Sequence, residues 1–431
     1  MRIALIPLEL YLYLLTYAVV DRDFFLILGR IMKVYIKSKQ MIPEEMRADL
    51  ELRWNRLRNY MRENEMDACL LANGVNIYYT TGKMYNGYFY LPVEGEPCFF
   101  VKRPGGYAGD RVRYIRKPEE IVGHLEALGM SKPARLMLEA DELTYNEYLR
   151  LRAVFAPERE GNATTMMRMA RRVKTPWEIG QLRLSASRHA AVYAEIKDCY
   201  RPGMTDLEFQ FEIESRMRRH GSIGLFRAFG ANMDIFMGSI LTGANAEAPS
   251  PFDFALGGGG MNDACPLGAN GTPLREGMAV MVDMAGNYTA YITDMTRVFA
   301  VGQLPHEAYR AHQVALEIQS AIEGMAKPGV ACADLYMKAL EIVKAAGLEE
   351  YFMGTKLQAK FVGHGIGLQI NELPVLTPRS KEVLLENMVF ALEPKFVIPG
   401  VGAVGVENSF LVKAAGLEKL TLFPEEIIQL Q

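Results

Sequence analysis

The sequence predicts an α+β protein with two folded domains, and three observations lead to this prediction. The chain has 431 residues, of which 50% are hydrophobic, so it is long enough to bury two cores. Its first part mixes short β-like runs with helical stretches. Its second part contains long helices and two predicted hairpins that carry acidic residues. We place a smaller mixed α/β domain at residues 41–165 and a larger domain at residues 170–431.

The composition narrows the classes of partner and compartment. Lysine and arginine total 48 against 51 acidic residues, with no basic stripe or acidic tail, which argues against nucleic acid as a partner. The five cysteines are scattered and form no Cys-x-x-Cys pair, which excludes a cysteine zinc knuckle and argues against a disulfide framework. We therefore expect a reducing compartment, the cytoplasm.

Residues 1–40 differ from the rest of the chain. The segment from Ile3 to Val20 is almost continuously apolar, yet it is barely long enough to span a membrane and lacks a cleavage site. A signal-anchor and an upstream start-codon artefact both explain it. Met32 and Met41 precede the first predicted helix and favour the artefact. We expect no membrane association unless this extension is genuine.

The smaller domain begins with an amphipathic helix from Pro43 to Asn64. Glycines separate the short β-like runs that follow, and two further helices come after them. In chain order these elements are the strands Ala68–Leu71, Ile77–Thr80, Tyr88–Leu91 and Cys98–Val101 and the helices around Glu119–Leu128 and Leu143–Val154. No catalytic signature occurs among them. A basic boundary at Arg168–Lys174 then leads to a long helix from Glu178 to about Cys199.

A faint internal repeat marks the larger domain. Two helices each open with Pro-Gly and stop at a glycine: Pro202-Gly203 to Gly221, and Pro328-Gly329 to Gly347. Thr205 and Glu208 predict a capping box, and Gly347 stands where a helix end favours a left-handed residue. Because each copy leads towards a hairpin with two acids, we interpret the repeat as functional.

The first of these hairpins carries one acid in each strand, Asp283 and Asp294. If the strands pair about the midpoint between Tyr288 and Thr289, the two acids lie directly opposite each other, with Cβ atoms about 5 Å apart. Two such carboxylates inside apolar strands repel and raise each other's pKa. A bound cation would remove that penalty.

The second hairpin repeats the arrangement. Pairing about Gly400 places Glu393 opposite Glu407, and His364 lies within Gly363–Gly367, where small residues let other segments approach closely. A single acid or histidine of this kind is more often structural. Four carboxylates with one imidazole, however, suit two divalent ions such as Mn²⁺, Fe²⁺, Co²⁺ or Zn²⁺. Two ions roughly 3.5–4 Å apart polarise a carbonyl and lower the pKa of a bridging water.

These motifs resemble those of the pita-bread metallopeptidases, which include prolidases, aminopeptidase P and methionine aminopeptidases. The matching order is Asp-x10-Asp-x-Thr-Arg, Gly-His-Gly-Ile-Gly-Leu, Glu-Pro and Val-Glu-Asn. The resemblance covers Arg172 to the C-terminus, and Glu44 to Ala156 is similar to the creatinase-type N-terminal domain. It implies a pita-bread (creatinase/aminopeptidase) catalytic domain preceded by that smaller domain.

The resemblance also implies roles for individual residues. Asp283 would bind the first metal, His364 and Glu393 the second, and Asp294 and Glu407 would bridge both. Glu393 would also carry the proton from the bridging water to the leaving amine. Thr296 and Arg297 would orient the ligands.

This chain departs from the family pattern where substrate is bound. Ser250 and Asn371 occupy positions where the peptidases usually have histidines, and Lys360 stands where aminopeptidase P has another. Serine and asparagine form hydrogen bonds but do not shuttle protons at neutral pH. We assign substrate contacts to Ser250, Asn371, Lys360 and Tyr288.

The sequence thus predicts a dinuclear metal-dependent peptidase that cleaves Xaa-Pro-type peptides through a metal-bridging hydroxide. One alternative is a metal-dependent relative that acts on a non-peptide small molecule, and another is a non-catalytic pita-bread binding module. The expected cofactors are two divalent ions per chain, manganese first, with Co²⁺, Fe²⁺ and Zn²⁺ left open. The expected partners are a short peptide or small-molecule amide and a second copy of the chain in a homodimer.

Overall fold

The computed structural model describes residues 40–230, 236–252 and 254–431. The chain divides into two compact units between Ala163 and Thr164. The apolar extension predicted at residues 1–40 lies outside the described residues, apart from Gln40. Within the described ranges, no helix combines the length and the apolarity that are needed to cross a membrane.

A mixed sheet with surrounding helices makes up the first unit. Its helices are α1 (Arg47–Glu63), α2 (Gly74–Thr81), α3 (Ile121–Ala127) and α4 (Tyr145–Phe155). Its strands are β1 (Ala68–Leu71), β2 (Asn86–Pro92), β3 (Cys98–Arg103), β4 (Val112–Tyr114), β5 (Arg135–Leu138) and β6 (Arg159–Asn162). They lie in the order β4-β3-β2-β1-β5-β6, with β1 antiparallel to β2 and parallel to β5.

One predicted strand of this unit is wrong. The run Ile77–Thr80 has aromatic and β-branched residues, but it lies inside helix α2. The reason is the chemistry at the two ends of the helix. The Asn73 side chain accepts a hydrogen bond from the backbone of Val75, and Gly82 closes the helix at φ 68°. The other strands and helices predicted for this unit are confirmed, with ends that differ by a few residues.

The second unit combines long helices with two sheets. Its helices are α5 (Ala163–Arg172, which begins at the last residue of the first unit), α6 (Pro176–Tyr193), α7 (Asp206–Arg219), α8 (His306–Met325) and α9 (Cys332–Ala346). Its strands are β7 (Gly238–Thr242), β8 (Met278–Gly286), β9 (Thr293–Val301), β10 (Gly363–Gly365), β11 (Glu372–Val375), β12 (Val389–Leu392), β13 (Lys395–Ile398), β14 (Gly402–Gly405), β15 (Asn408–Lys413), β16 (Gly416–Lys419) and β17 (Ile428–Leu430).

The helix ends of the repeat match the sequence prediction. Thr205 and Glu208 form the capping box of α7, and Gly347 ends α9 in the left-handed conformation at φ 66°. Helices α8 and α9 bury apolar faces, including Ile318 and Leu335, in one core with strand residues such as Phe390.

The two sheets exchange strands at the positions of two acids. One sheet has the order β11-β10-β12-β15-β16 and the other β13-β14-β7-β8-β9-β17. The chain therefore leaves the first sheet between β12 and β13, at Glu393, and returns to it between β14 and β15, at Glu407. Both acids stand where the chain passes from one sheet to the other.

Candidate metal centre

Asp283 and Asp294 lie on the paired strands β8 and β9, but they are not directly opposite each other as predicted. The ladder pairs Asp283 with Thr296 and Asp294 with Ala285. Opposite residues share a face, so the two aspartates are diagonal neighbours on the same face of the sheet. A slip of two residues preserves the face, whereas a slip of one would have turned one acid away.

The turn between these strands explains the error in register. Residues from other parts of the second unit form hydrogen bonds to this turn, so the length of the turn does not follow from a local two-residue pattern. The Asn287 side-chain oxygen accepts a hydrogen bond from the Ser222 hydroxyl at 2.6 Å, and the backbone of Tyr288 donates to the Ser185 hydroxyl at 3.2 Å. Such long-range contacts are not visible in a local pattern.

The second hairpin has the predicted register but ends before its acids. Lys395 pairs with Gly405 and Ile398 with Gly402, which is pairing about Gly400. Glu393 and Glu407 would continue this ladder, yet both lie just outside the strands. The backbone of Glu407 instead donates to the carbonyl of Thr296 on β9 at 3.2 Å, which ties this acid to the first hairpin.

His364 reaches the same place because its neighbours are glycines. A Cβ atom on Gly363 would lie 2.3 Å from the Ala391 carbonyl oxygen, and one on Gly365 would lie 2.1 Å from that of Leu373. Both distances are far too short for any other residue. The close approach predicted from the glycines is confirmed, and it brings His364 Nε2 to 3.3 Å from Glu393 Oε1.

The acids and the imidazole therefore come together. His364 Nε2 is 4.0 Å from Asp294 Oδ2, and ligand atoms of Asp294, His364 and Glu407 all lie within 4.8 Å of one another. We call Asp294 and His364 the histidine side of the centre. Glu393 and Glu407 lie between this side and Asp283.

The residue that holds the other end of the centre was missed in the sequence. The Lys395 ammonium donates to Asp283 Oδ2 at 2.8 Å, to Glu393 Oε2 at 2.7 Å and to Glu407 Oε2 at 3.0 Å. Its side chain is 1% exposed. Two signals could have found it: a lysine inside an apolar β run, and its spacing of two from Glu393, which favours the same face. We call Asp283 and Lys395 the lysine side.

Glu407 is held in place by its neighbours while one of its oxygens stays open. Thr296 Oγ1 donates to Glu407 Oε2 at 2.7 Å, and the Arg297 guanidinium donates to the carbonyls of Thr296 and Glu407 at 2.8 Å each. Glu407 Oε1 is buried and has no hydrogen-bond partner among the residues that the structure describes. An orphaned carboxylate oxygen is costly unless a cation binds it.

Electrostatics shows that Asp294 and Glu407 have too little positive charge beside them. Burial, then the nearby Asp283 carboxylate, raises the pKa of Asp294 to about 7. Burial, then the charge of Asp294, also raises the pKa of Glu407 well above its ordinary value. Carboxyls that hold protons near neutral pH are short of a neighbouring cation. A divalent ion would supply that charge in place of the protons.

Glu393 behaves differently because cations already flank it. Burial raises its pKa, but the charge of Lys395 and the hydrogen bond from His364 outweigh that effect and lower the pKa to about 2. Burial likewise disfavours the charged form of His364, yet the hydrogen bond to Glu393 raises the pKa of His364 to about 9. Glu393 is thus a charged link between the two sides of the centre.

A cavity of about 470 Å³ opens onto the acids and the imidazole. Most of its wall is apolar: Phe226, Phe229, Phe236, Phe254, Leu256, Leu267, Phe361, Ile370 and Val375. Arg168 and Asn371 are among the polar residues at the wall, and the Arg168 guanidinium carbon lies 4.1 Å from the centre of the Phe229 ring. The arrangement places a polar, acidic end next to an apolar chamber.

Of the four residues assigned to substrate, the structure brings only Asn371 to this cavity. Ser250 and Lys360 line a smaller neighbouring cavity of about 350 Å³. Tyr288 is buried in a separate apolar core, with its ring 6.1 Å from that of His189. Asn371 itself accepts a hydrogen bond from the Phe229 backbone at 2.7 Å and returns one at 2.8 Å, so it fixes a segment of the cavity wall.

Comparison with known proteins decides the family. Residues 180–414 match the model of Metallopeptidase family M24, and residues 53–173 match that of the Creatinase/Prolidase N-terminal domain. The chain belongs to metallopeptidase family M24. An M24 metallopeptidase is an enzyme, so neither a non-catalytic module nor a non-peptide substrate is favoured. Membership also implies divalent metal ions as cofactors.

Relatives of this metallopeptidase match it over nearly their whole length. An Xaa-Pro dipeptidase from Pyrococcus furiosus is 26% identical over 387 residues, which cover 87% of this chain and 99% of the relative. The structure of an Xaa-Pro dipeptidase from Bacillus anthracis gives a TM-score of 0.73 at 25% identity, covering 88% of this chain and 100% of that one. A prolidase from Pyrococcus horikoshii gives 0.70 at 22%, covering 87% and 99%. These likenesses confirm the predicted pita-bread fold with a creatinase-type N-terminal domain.

The histidine side of this metallopeptidase fits a divalent ion. It offers one imidazole and carboxylate oxygens, the donor set that intermediate divalent metals prefer. The open Glu407 Oε1 and the raised pKa of Asp294 both indicate an incomplete cation shell. Asp294, His364, Glu393 and Glu407 are the residues that would hold such an ion.

Proposed function

We propose that this metallopeptidase hydrolyses short peptides of the Xaa-Pro type at the Asp294–His364 end of its cavity. One observation carries the proposal: the clustered acids and the imidazole line the same cavity as a set of apolar side chains. A proline ring and an apolar neighbour match such a wall, because both bury hydrocarbon surface. The Xaa-Pro dipeptidases among the relatives support this substrate class.

The chemistry divides between the cofactor and the chain. A bound divalent ion supplies Lewis acidity, which activates water and polarises the scissile carbonyl. Glu393 is placed to act as the general base, because its Oε1 faces His364 at the cavity while its Oε2 is fixed by Lys395. It accepts the proton of the attacking water and passes it to the leaving amine. Thr296 and Arg297 keep Glu407 in position.

The identity and the number of the metal ions remain predictions. Manganese is our first choice, because an oxygen-rich shell with a single imidazole suits it, and Co²⁺, Fe²⁺ and Zn²⁺ stay open. The sequence predicts two ions, with Asp283 as a ligand of the first. The contact between Asp283 and Lys395 speaks against that count.

Arg168 is the candidate for recognising the substrate terminus. Its guanidinium lies at the cavity wall over the Phe229 ring, and guanidinium groups bind carboxylates with two parallel hydrogen bonds. A dipeptide whose C-terminal carboxylate meets Arg168 would place its peptide bond in the chamber towards the acids. This position favours short peptides with a free C-terminus.

A peptide panel tests the proposed function. Metal-stripped protein, reloaded separately with Mn²⁺, Co²⁺, Fe²⁺ and Zn²⁺, is offered Xaa-Pro dipeptides, matched Xaa-Ala dipeptides and C-terminally amidated Xaa-Pro. We expect metal-dependent release of proline and slower turnover of the other two classes. Arg168→Gln should raise KM for the free dipeptide and leave KM for the amide unchanged. Absence of turnover on all peptides with every metal would contradict the proposal.

We further propose a cytoplasmic homodimer. The five cysteines are all unpaired, which supports a reducing compartment. Exposed apolar side chains such as Ile223 and Leu225 supply surface that a second copy could cover. Light scattering on the purified protein would measure the mass directly, and a monomer at micromolar concentration would contradict the dimer.

A further inference from the structure

The Lys395 ammonium occupies a position that is surrounded by acids. Its three acceptors are Asp283 Oδ2, Glu393 Oε2 and Glu407 Oε2, at 2.8, 2.7 and 3.0 Å. An ammonium group has three hydrogen-bond donors, so this shell is complete. The side chain is 1% exposed, so the ammonium is closed off from bulk solvent.

The backbone around Lys395 is built to place it there. The residue begins β13 and pairs with Gly405 on β14. A Cβ atom on Gly405 would lie 2.8 Å from Lys395 Cα and 3.2 Å from its Cγ, so the glycine leaves room for the lysine stem. The backbone of Met353 donates to the Lys395 carbonyl at 2.8 Å and fixes the strand from the other side.

Glu393 and Glu407 contact the Lys395 ammonium in the way that bridging carboxylates contact a metal ion. Glu393 gives Oε2 to Lys395 and turns Oε1 towards His364 Nε2 at 3.3 Å. Glu407 gives Oε2 to Lys395 and keeps Oε1 without a partner among the described residues. Glu393 therefore uses one oxygen on each side, as a bridging ligand does between two cations, and Glu407 uses one oxygen on Lys395 and keeps the other available.

The lysine and a metal ion exclude each other at this position. Carboxylate oxygens bind ions such as Zn²⁺ at about 2.0–2.2 Å, so an ion on these same three oxygens would nearly coincide with the ammonium nitrogen. Two cations in contact also repel strongly in a buried site. Asp283 is left as a partner of Lys395, while the histidine side keeps its own donor set.

From this geometry we infer that Lys395 is a built-in cation that replaces one metal ion, so the chain binds a single divalent ion at Asp294, His364, Glu393 and Glu407. The inference rests on the proposed metal-dependent function and deepens it. Lys395 acts here as a positioning residue, since it holds Asp283, Glu393 and Glu407 in the geometry that a first metal would otherwise impose.

Metal counting with Mn²⁺ tests the inference. Metal-stripped wild-type protein is saturated with Mn²⁺, desalted and examined by elemental analysis and electron paramagnetic resonance. We expect one ion per chain with the hyperfine pattern of an isolated Mn²⁺. Lys395→Ala opens the position beside the freed acids and should bind two ions with an exchange-coupled spectrum. Lys174→Ala removes another buried lysine, paired with Glu372 outside the centre, and should keep one ion.

The outcomes separate the two proposals. Two coupled ions in the wild-type protein would overturn the inference and leave the metallopeptidase proposal intact, and zero ions at saturation would overturn both. A folded Lys395→Ala protein that still binds one ion would also overturn the inference. If that variant does not fold, Lys395→Met, which keeps the volume of the stem but not the charge, replaces it. Lys395→Met is also one atom shorter than the lysine, so it should likewise bind two ions with an exchange-coupled spectrum, and a folded Lys395→Met protein with one isolated Mn²⁺ would overturn the inference.

Discussion

The two sides of the centre hold the same kind of acid in different ways. On the lysine side, Asp283 faces an ammonium that is part of the chain and fully enclosed. On the histidine side, Asp294 faces an imidazole 4.0 Å away, and the neighbouring Glu407 Oε1 is open. The acids of the lysine side thus have a cation that belongs to the chain, whereas the histidine side is left for an exchangeable ion.

This difference separates two tasks that metal ions often perform together. A covalently attached cation organises the carboxylates permanently and does not dissociate, but an ammonium cannot activate water as a Lewis acid does. An exchangeable ion can. We therefore expect changes on the lysine side to alter mainly the stability and geometry of the centre, and changes on the histidine side to alter mainly metal binding and turnover.

The largest effect should come from Glu393, which belongs to both sides. Glu393→Gln keeps the shape of the side chain but removes the base and one ligand charge, so kcat should fall by about 10²–10⁴-fold. Steady-state hydrolysis of an Xaa-Pro dipeptide measures this, with Glu418→Gln, an exposed acid paired with Arg183, as the control. Turnover within a few-fold of wild type would remove Glu393 from the chemistry.

Lys395→Met should weaken the fold before it weakens metal binding. Removing one partner of a buried ion pair typically costs about 3–5 kcal/mol, because the remaining charges stay buried without compensation. Denaturant unfolding of metal-stripped protein measures the loss. Since ligand binding stabilises the folded state, excess Mn²⁺ should recover part of it. A stability equal to wild type without metal would show that the lysine side is not held by its ammonium.

Thr296→Val should act on the histidine side through Glu407. The hydroxyl that donates to Glu407 Oε2 is lost, and loss of such a supporting hydrogen bond commonly weakens metal binding by about 10–100-fold. Calorimetric titration with Mn²⁺ provides the affinity. Thr80→Val, a buried threonine in the first unit, is the matched control and should leave the affinity unchanged.

The smallest effect is expected at Asn371, outside both sides. Asn371→Ala removes two hydrogen bonds to Phe229, each worth about 1 kcal/mol, so the cavity wall loosens and KM rises by up to about tenfold. The value of kcat should change little. Asn371→Asp keeps the oxygen that accepts the hydrogen bond from the Phe229 backbone, so its KM should lie between those of the wild type and Asn371→Ala. A hundredfold fall in kcat would instead place Asn371 at the reacting atoms.

The two sides also differ in how far the sequence predicts them. Four residues stand out in the sequence as acids and a histidine within strand and glycine patterns: Asp294, His364, Glu393 and Glu407. An error in register of two residues does not change the predicted face on which such residues lie. Asp283 and Asp294 are two positions away from the predicted pairing, but strand alternation keeps them on one face. Period-two geometry is therefore more robust than the pairing of individual residues.

The role of Lys395 does not follow from its spacing alone, because it depends on contacts between segments that are distant in the chain. Asp283 is brought to it from β8, more than a hundred residues earlier, through the exchange of strands between the sheets. The same reason applies to Ser250 and Lys360, whose positions in a neighbouring cavity are set by packing. Local patterns predict elements and faces, and long-range packing decides which side chains meet.

Activity measured during a Mn²⁺ titration tests the central claim most directly. Metal-stripped wild-type protein, at a concentration well above its Kd for Mn²⁺, is titrated while hydrolysis of an Xaa-Pro dipeptide is followed. If Lys395 replaces one metal ion, the stripped protein should show no turnover, and the activity should reach its plateau at one equivalent of Mn²⁺ per chain. Turnover by the stripped protein, or a plateau reached only at two equivalents, would contradict it.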